Sequence, residues 1–170
     1  MKNQVSIKYL SRIAMMTAVS VVLRQFFLWI PNVQPITALF FVLTIYWKLK
    51  DTLLVMALSL LITGMLDGFG IWVGAQIIVY ALLIVCWSSI YKKITNFFVQ
   101  LIIVGVLSFF YGFGINFLTA PLFKAKNFWA FCLSGMSFDL MHAVATIMSY
   151  PLILKVFILN KPFNKLKHKP

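Results

Sequence analysis

Six runs of apolar residues, separated by short polar or basic turns, make up most of the chain. They occupy residues 8–30, 36–47, 52–66, 72–91, 97–118 and 137–158. A helix needs roughly 20 residues to cross the hydrocarbon core of a bilayer. Only the second run is clearly shorter than a spanning helix, and we expect it to form a tilted or incomplete span. The pattern predicts an all-α integral membrane protein, with residues 1–170 forming one domain of six transmembrane helices.

The segments between the runs have the composition that ends helices. Pro31 and Asn32 follow the first run, and a basic turn at 48–51 separates the second from the third. The sequence Asp-Gly-Phe-Gly at 67–70 predicts a turn, because glycines favour backbone reversals. Residues 119–135 are expected to form a connection, and Ser137 is expected to cap the N-terminus of the sixth helix.

The composition supports a membrane environment. Hydrophobic residues make up 62% of the chain and charged residues 11%, and there are 17 phenylalanines. A soluble domain is about a quarter charged, so this chain has too few charges to cover a surface facing water. A disordered chain is excluded as well, because such chains lack this apolar content.

The net charge of +12 is explained by membrane topology rather than by nucleic-acid binding. With six spans, both termini and two connections lie on one side, and twelve of the 15 basic residues fall there. The opposite side holds Lys124 and Lys126, and Arg24 lies within the first span. Basic residues concentrate in cytoplasmic segments. This bias predicts a multi-pass protein of the cell membrane with cytoplasmic termini and no nucleic-acid partner.

Several kinds of chemistry are excluded by missing motifs. Cys86 and Cys132 form no CxxC pair, and we interpret them as two small buried hydrophobes rather than as a disulfide or zinc site. There is no GxxxxGK[ST] sequence, so the chain itself is not expected to hydrolyse a nucleotide. There is also no HExxH, no GxSxG and no glutamate. We expect neither an enzyme nor a bound cofactor or metal.

Ionisable side chains inside the predicted spans are costly in lipid and suggest a function. Arg24 lies near the outer end of the first span. In the sixth, Asp139, His142 and Thr146 share one helical face, because they are three and four residues apart. Gln76 and Asn116 add polar groups near the same depth. Two interpretations stay open: a structural Arg24–Asp139 clasp, or an outward cavity for a ligand.

Ala14 and Ala18 form a small-xxx-small pair in the first span. Such pairs allow two helices to approach closely in a membrane. The partner is either another helix of this bundle or a helix of a second protein.

Four segments resemble one known family, the substrate-binding S components of energy-coupling factor (ECF) vitamin transporters. They are Ala14-x-x-x-Ala18, the sequence Pro-Asn-Val-Gln-Pro at 31–35, the sequence Gly-Ile-Trp at 70–72 with Gln76, and the sequence Ser-Phe-Asp-Leu-x-His-Ala at 137–143. The resemblance extends over residues 10–160. Thr146 is a departure, because asparagine is common there in the family.

The resemblance implies a six-helix subunit that binds a vitamin or related micronutrient at the outer face. It also implies docking through Ala14 and Ala18 on a transmembrane coupling subunit, which two ATPase subunits drive. The implied substrate-binding residues are polar or aromatic residues of the matching segments, together with one polar residue each from the first and fifth spans. They are Arg24, Asn32, Gln34, Trp72, Gln76, Asn116, Asp139 and His142.

Two other functions remain compatible with the sequence. One is a self-contained small membrane transporter or channel, and the other is a membrane scaffold subunit without a ligand. The sequence does not select among cobalamin, pantothenate, folate and a thiamine-precursor pyrimidine.

Overall fold

The computed structural model describes residues 6–30 and 33–159. The helices are α1 (Ile7–Phe26), α2 (Ile36–Tyr46), α3 (Leu49–Asp67), α4 (Ile71–Ile90), α5 (Phe97–Thr119), α6 (Phe128–Leu133) and α7 (Met136–Leu159), with a short 3-10 turn at Tyr91–Lys93. No strand occurs within these ranges, which confirms the predicted all-α class.

Four helical segments are long and apolar enough to cross a membrane: Leu49–Asp67, Ile71–Lys93, Phe97–Thr119 and Phe128–Leu159. The chain therefore has the makeup of a membrane protein. α1 has the length of a span, but its three basic residues, Lys8, Arg12 and Arg24, reduce its hydropathy. α2 is apolar but shorter than a span. The predicted total of six spans therefore stays a prediction.

The helix ends follow from local sequence. Pro35 immediately precedes α2, where the missing N–H of proline costs nothing. α3 ends at Gly68, whose φ of 110° is a conformation that side chains with a Cβ rarely adopt. At the start of α5, the Asn96 side chain accepts hydrogen bonds from the backbone N–H groups of Phe98 and Val99.

The short helix α2 lies at the centre of the bundle. It contacts α1, α3, α4, α5 and α7, and its residues from Ile36 to Thr44 are all buried. The indole Nε1 of Trp87 donates a hydrogen bond of 3.1 Å to the backbone carbonyl of Phe41, which links α4 to this core. The predominantly apolar sequence of α2 suits this position, because other helices surround it and cover all of its sides.

The two ends of the bundle are defined by hydrogen bonds between helices. At one end, Gln25 Nε2 donates to Asp67 Oδ1 over 2.8 Å, which joins the last turns of α1 and α3. At the other end, the Tyr9 hydroxyl donates to Asp51 Oδ1 over 2.8 Å, which joins their first turns. We call these the Arg24 end and the Tyr9 end. α2, α4 and α7 begin at the Arg24 end.

Two sequence predictions about the helix ends are wrong. Ser137 is not an N-cap, because α7 already begins at Met136. Asp51 does not belong to the connection before α3 but lies in the first helical turn of α3, where a carboxylate is favoured and where it accepts the hydrogen bond from Tyr9. The connection at 119–135 contains the helix α6, whose first turn is capped by Asn127 through the backbone N–H of Ala130.

α7 contains Pro151 in its interior. Proline has no backbone N–H, so the carbonyl of Ile147 lacks the donor that an unbroken helix would supply.

Candidate functional site

A chain of buried polar side chains crosses the bundle near the Arg24 end. Thr37 Oγ1 of α2 lies 2.8 Å from the Tyr80 hydroxyl of α4 and 2.9 Å from His142 Nε2 of α7. All three side chains are buried. Together with Tyr111 and Asp139, described next, they form what we call the polar cluster.

Tyr111 brings α5 into the cluster through its aromatic ring. The ring stacks on the imidazole of His142 with a centroid distance of 4.9 Å and an angle of 19°. It also lies against the ring of Tyr80 at 4.3 Å. The cluster therefore connects four helices, α2, α4, α5 and α7.

Asp139 is placed one turn before His142 on α7 and is only 2% exposed. Its carboxylate lies against the backbone of α5 at Gly112, where a Cβ atom would overlap with it. Oδ2 of Asp139 is buried and has no hydrogen-bond partner among residues 6–30 and 33–159. An unpaired buried oxygen is costly, and most buried polar atoms in proteins are paired.

Arg24 is half-buried and contacts Gln76 rather than Asp139. Its Nη1 and Nη2 atoms both lie 3.4 Å from Gln76 Oε1 on α4. Within the described part of the chain Arg24 and Asp139 form no ion pair, so the clasp between them is not present. Arg24 and Gln76 instead form a polar contact between α1 and α4.

Gln34 lies immediately before the N-cap of α2 and one turn from Thr37. The residue is half-buried, and its Oε1 atom is fully buried without a hydrogen-bond partner in the described structure. Asn32, which was predicted beside it, lies outside the described residues.

The remaining two predicted site residues are placed differently. Asn116 Nδ2 donates a hydrogen bond of 3.4 Å to the backbone carbonyl of Phe131, and so connects α5 to α6. Trp72 is 46% exposed, and its ring covers Gly70 at the start of α4. Among the described residues, neither forms a hydrogen bond or a ring contact with the polar cluster.

Sequence reasoning missed Thr37, Tyr80 and Tyr111, because it searched for ionisable or amide side chains. A signal for Tyr80 was present. Tyr80 follows Gln76 by four residues, which places the two on one helical face. Tyr111 had no such signal, since α5 is rich in aromatic residues.

Ala14 and Ala18 are exposed on the surface of α1. They border an apolar groove of about 460 Å³ between α1 and α3, whose other lining residues include Thr17, Val21 and Leu58. The pair therefore does not mediate close packing inside this bundle.

The cysteines differ from their predicted environment in one case. Cys132 is buried in α6 as expected, but Cys86 is exposed on α4, because it points away from the helices that pack on α4. Both are free thiols. Within the described ranges, no three His, Cys, Asp or Glu side chains are grouped as a metal site would require.

The comparisons with known proteins do not supply a relative. Neither the protein-family models, nor the curated proteins, nor the solved structures contain a match to this chain.

Proposed function

We propose that this protein is the substrate-binding S component of an ECF-type vitamin importer. The observation that carries the proposal is the polar cluster, which gathers hydrogen-bonding groups from four helices in an otherwise apolar bundle. In this proposal the chain has six spans in the cell membrane, and its ligand site is at the Arg24 end. The motifs that resemble the family contribute Gln34, Asp139 and His142 to this region.

The energetics of the cluster favour a ligand over a purely structural role. A buried polar group without a partner costs roughly 1–3 kcal/mol by mutational data. Asp139 Oδ2 in the cluster has this status, and so does Oε1 of Gln34, which lies outside the cluster and three residues before Thr37. A structural network is expected to be internally paired, whereas a binding site leaves groups for its ligand.

The exposed groove beside Ala14 and Ala18 supports a protein partner. In a membrane, small side chains let a second helix approach the backbone closely. Since Ala14 and Ala18 are not used within the bundle, we propose that they contact the transmembrane coupling subunit. Because the chain has no nucleotide-binding motif, two ATPase subunits would supply the energy.

The orientation follows from the distribution of basic residues. The Tyr9 end carries Lys48, Lys50, Lys92 and Lys93 at its exposed turns, whereas the connection after α5 at the Arg24 end carries Lys124 and Lys126. We propose that the Tyr9 end is cytoplasmic and the Arg24 end faces outward.

The test is to co-express the chain with an ECF coupling subunit and its two ATPases, purify it through a tag on this chain, and identify bound subunits and small molecules by mass spectrometry. The expected result is a four-protein assembly, with a vitamin-type compound also bound to the isolated chain. Saturable binding and uptake without the other subunits would support a self-contained transporter instead. Assembly with membrane proteins but no small-molecule binding would support a scaffold subunit. Either result would overturn the proposal.

A further inference from the structure

Residues 122–133, which we call the α6 segment, expose apolar and basic side chains together at the Arg24 end. The exposed basic residues are Lys124 and Lys126. The exposed large apolar residues are Leu122, Phe123, Trp129 and Leu133, and their exposed fractions range from 49% to 62%. A group of apolar side chains of this size is costly in water, so we expect another molecule to cover it.

The α6 segment is held against the bundle by its inner face. Cys132 is buried, and the backbone carbonyl of Phe131 accepts the hydrogen bond from Asn116 of α5. Trp129 and Leu133 are four residues apart, so they lie together on the face of α6 that these contacts leave exposed. The apolar side chains are therefore presented by a helix that is fixed to the rest of the protein.

Lys124 occupies a backbone position that glycine usually takes. Its φ is 49°, and it is the only non-glycine residue with a positive φ in the described ranges. Its N–H donates to the carbonyl of Pro121 over 3.2 Å, and the N–H of Ala125 donates to the carbonyl of Ala120 over 3.1 Å. This pair of bonds is the Schellman motif, in which the left-handed residue is most often glycine. A side chain with a Cβ is strained there, and such strain is found mainly where the residue has a function.

Among the described residues, the exposed tryptophans all lie at the Arg24 end. They are Trp29 after α1, Trp72 in the first turn of α4 and Trp129 in α6, whereas Trp47 and Trp87 are buried. Tryptophan side chains favour the boundary between the headgroups and the acyl chains of a membrane. These three side chains therefore indicate that this boundary lies at the Arg24 end, where the α6 segment is placed.

Phospholipids match both kinds of side chain in the α6 segment. The apolar and aromatic side chains suit the region next to the acyl chains, and the ammonium group of a lysine can extend from there to a lipid phosphate. Four helical segments of the protein are long and apolar enough to cross a membrane, so a lipid surface is expected at their ends. A protein partner would have to supply acidic groups and an apolar surface at the same place. The charge and the position of the segment therefore favour lipid.

We propose that the α6 segment is an interfacial anchor that binds anionic phospholipids in the membrane leaflet at the Arg24 end. Lys124 and Lys126 contact the lipid phosphates, and Phe123, Trp129 and Leu133 lie at the boundary of the acyl chains. This inference goes beyond the proposed function, because it depends neither on the ligand nor on a coupling subunit.

The test measures which lipids lie next to α6 in vesicles. The purified full chain carries a bimane fluorophore on Leu133→Cys, in a background with Cys86→Ala and Cys132→Ala. The vesicles contain equal amounts of phosphatidylglycerol and phosphatidylcholine, and one of the two has brominated acyl chains that quench the fluorophore on contact. We expect quenching in both cases, stronger by roughly twofold or more with brominated phosphatidylglycerol, because lysines attract lipids with a net negative charge.

Two double variants separate the effect of these lysines from that of other charges. Lys124→Gly combined with Lys126→Gln should make quenching by the two lipids about equal. Because glycine is favoured at the φ of Lys124, this variant should unfold in neutral detergent at the same temperature as the unsubstituted chain or a higher one. The matched control removes the same charge at the Tyr9 end through Lys92→Gln and Lys93→Gln, and it should leave the lipid preference at α6 unchanged.

The quenching ratios decide the proposal. No quenching by either lipid would overturn it, since the α6 segment would then face water or protein. Equal quenching in the chain with all its lysines, or a preference that survives the loss of Lys124 and Lys126, would overturn it as well. If the double variant does not fold, Lys126→Gln alone is expected to lower the preference, and an unchanged ratio would contradict the proposal. None of these measurements involves a vitamin or a coupling subunit, so the proposed function is tested separately.

Discussion

A methyl group added at Gly112 would occupy the same space as the carboxylate of Asp139. Gly112→Ala is therefore expected to displace Asp139 or to separate α5 from α7, and to lower the free energy of unfolding by about 1–3 kcal/mol. The measurement is thermal unfolding in detergent. The matched control is Gly74→Ala on α4, where an added Cβ has no neighbour within 4 Å. Equal stabilities of the two variants would contradict the Asp139–Gly112 contact.

Thr37 provides the hydroxyl group that links Tyr80 and His142. Thr37→Val keeps the shape of the side chain but removes this hydroxyl, so two buried polar groups lose a partner. We expect a loss of about 1–3 kcal/mol in the free energy of unfolding. The control is Thr63→Val, since the Thr63 hydroxyl donates only to carbonyls of its own helix. A similar loss in both variants would indicate that the link to His142 contributes little.

The contact of Arg24 with Gln76 predicts the result of a double-mutant cycle. Because Arg24 and Asp139 form no ion pair, the effects of Arg24→Met and Asp139→Leu on unfolding should add to within about 0.5 kcal/mol. Arg24→Met and Gln76→Leu should not be additive, because each removes the same hydrogen bonds. Strongly non-additive effects of Arg24→Met and Asp139→Leu would contradict this prediction and indicate that Arg24 and Asp139 interact.

At the scale of the helices, the sequence was sufficient to locate most elements. The predicted fifth run, 97–118, ends one residue before the helix Phe97–Thr119 does. The predicted sixth run, 137–158, is one residue short at each end of the helix Met136–Leu159. This accuracy has a physical cause: Pro, Gly and basic residues interrupt the apolar runs. The first run was overextended, since α1 ends at Phe26 while the apolar residues continue to Ile30.

The contacts between helices could not be predicted in the same way. Periodicity correctly placed Asp139, His142 and Thr146 on one buried face of α7. It did not indicate that Arg24 would contact Gln76, because partner choice depends on how the helices pack. α6 was missed because Phe128–Leu133 is too short for a periodic signal, and for the same reason the hydrogen bond of Asn116 to Phe131 of α6 was not predicted.

The exposed face of α1 leads to a prediction about assembly. Ala14→Leu and Ala18→Leu would fill the groove between α1 and α3 without disturbing the core. Ligand binding by the isolated chain should be unchanged, whereas co-purification with the coupling subunit should be lost. Val106→Phe, on an exposed position of α5, is the control for added bulk. If both alanine variants assemble normally, the partner binds elsewhere.

At the scale of the whole molecule, the orientation can be tested by cysteine labelling in intact cells. In a background with Cys86→Ala and Cys132→Ala, an impermeant maleimide should label Lys124→Cys but not Lys93→Cys. Both positions are exposed, so accessibility within the protein does not limit the reaction. The expected pattern follows from the excess of basic residues at the Tyr9 end. The reverse pattern would invert the topology.

Pro151 has a mechanical consequence for the protein. The bending stiffness of a helix comes from its continuous series of backbone hydrogen bonds, and at Pro151 one of these is missing. A bending load on α7 therefore concentrates between Ile147 and Pro151. Asp139 and His142 lie on one side of this compliant joint, and the segment that carries Lys155 lies on the other. We therefore expect bending of the far segment to be transmitted less strongly to the polar cluster than it would be along an unbroken helix.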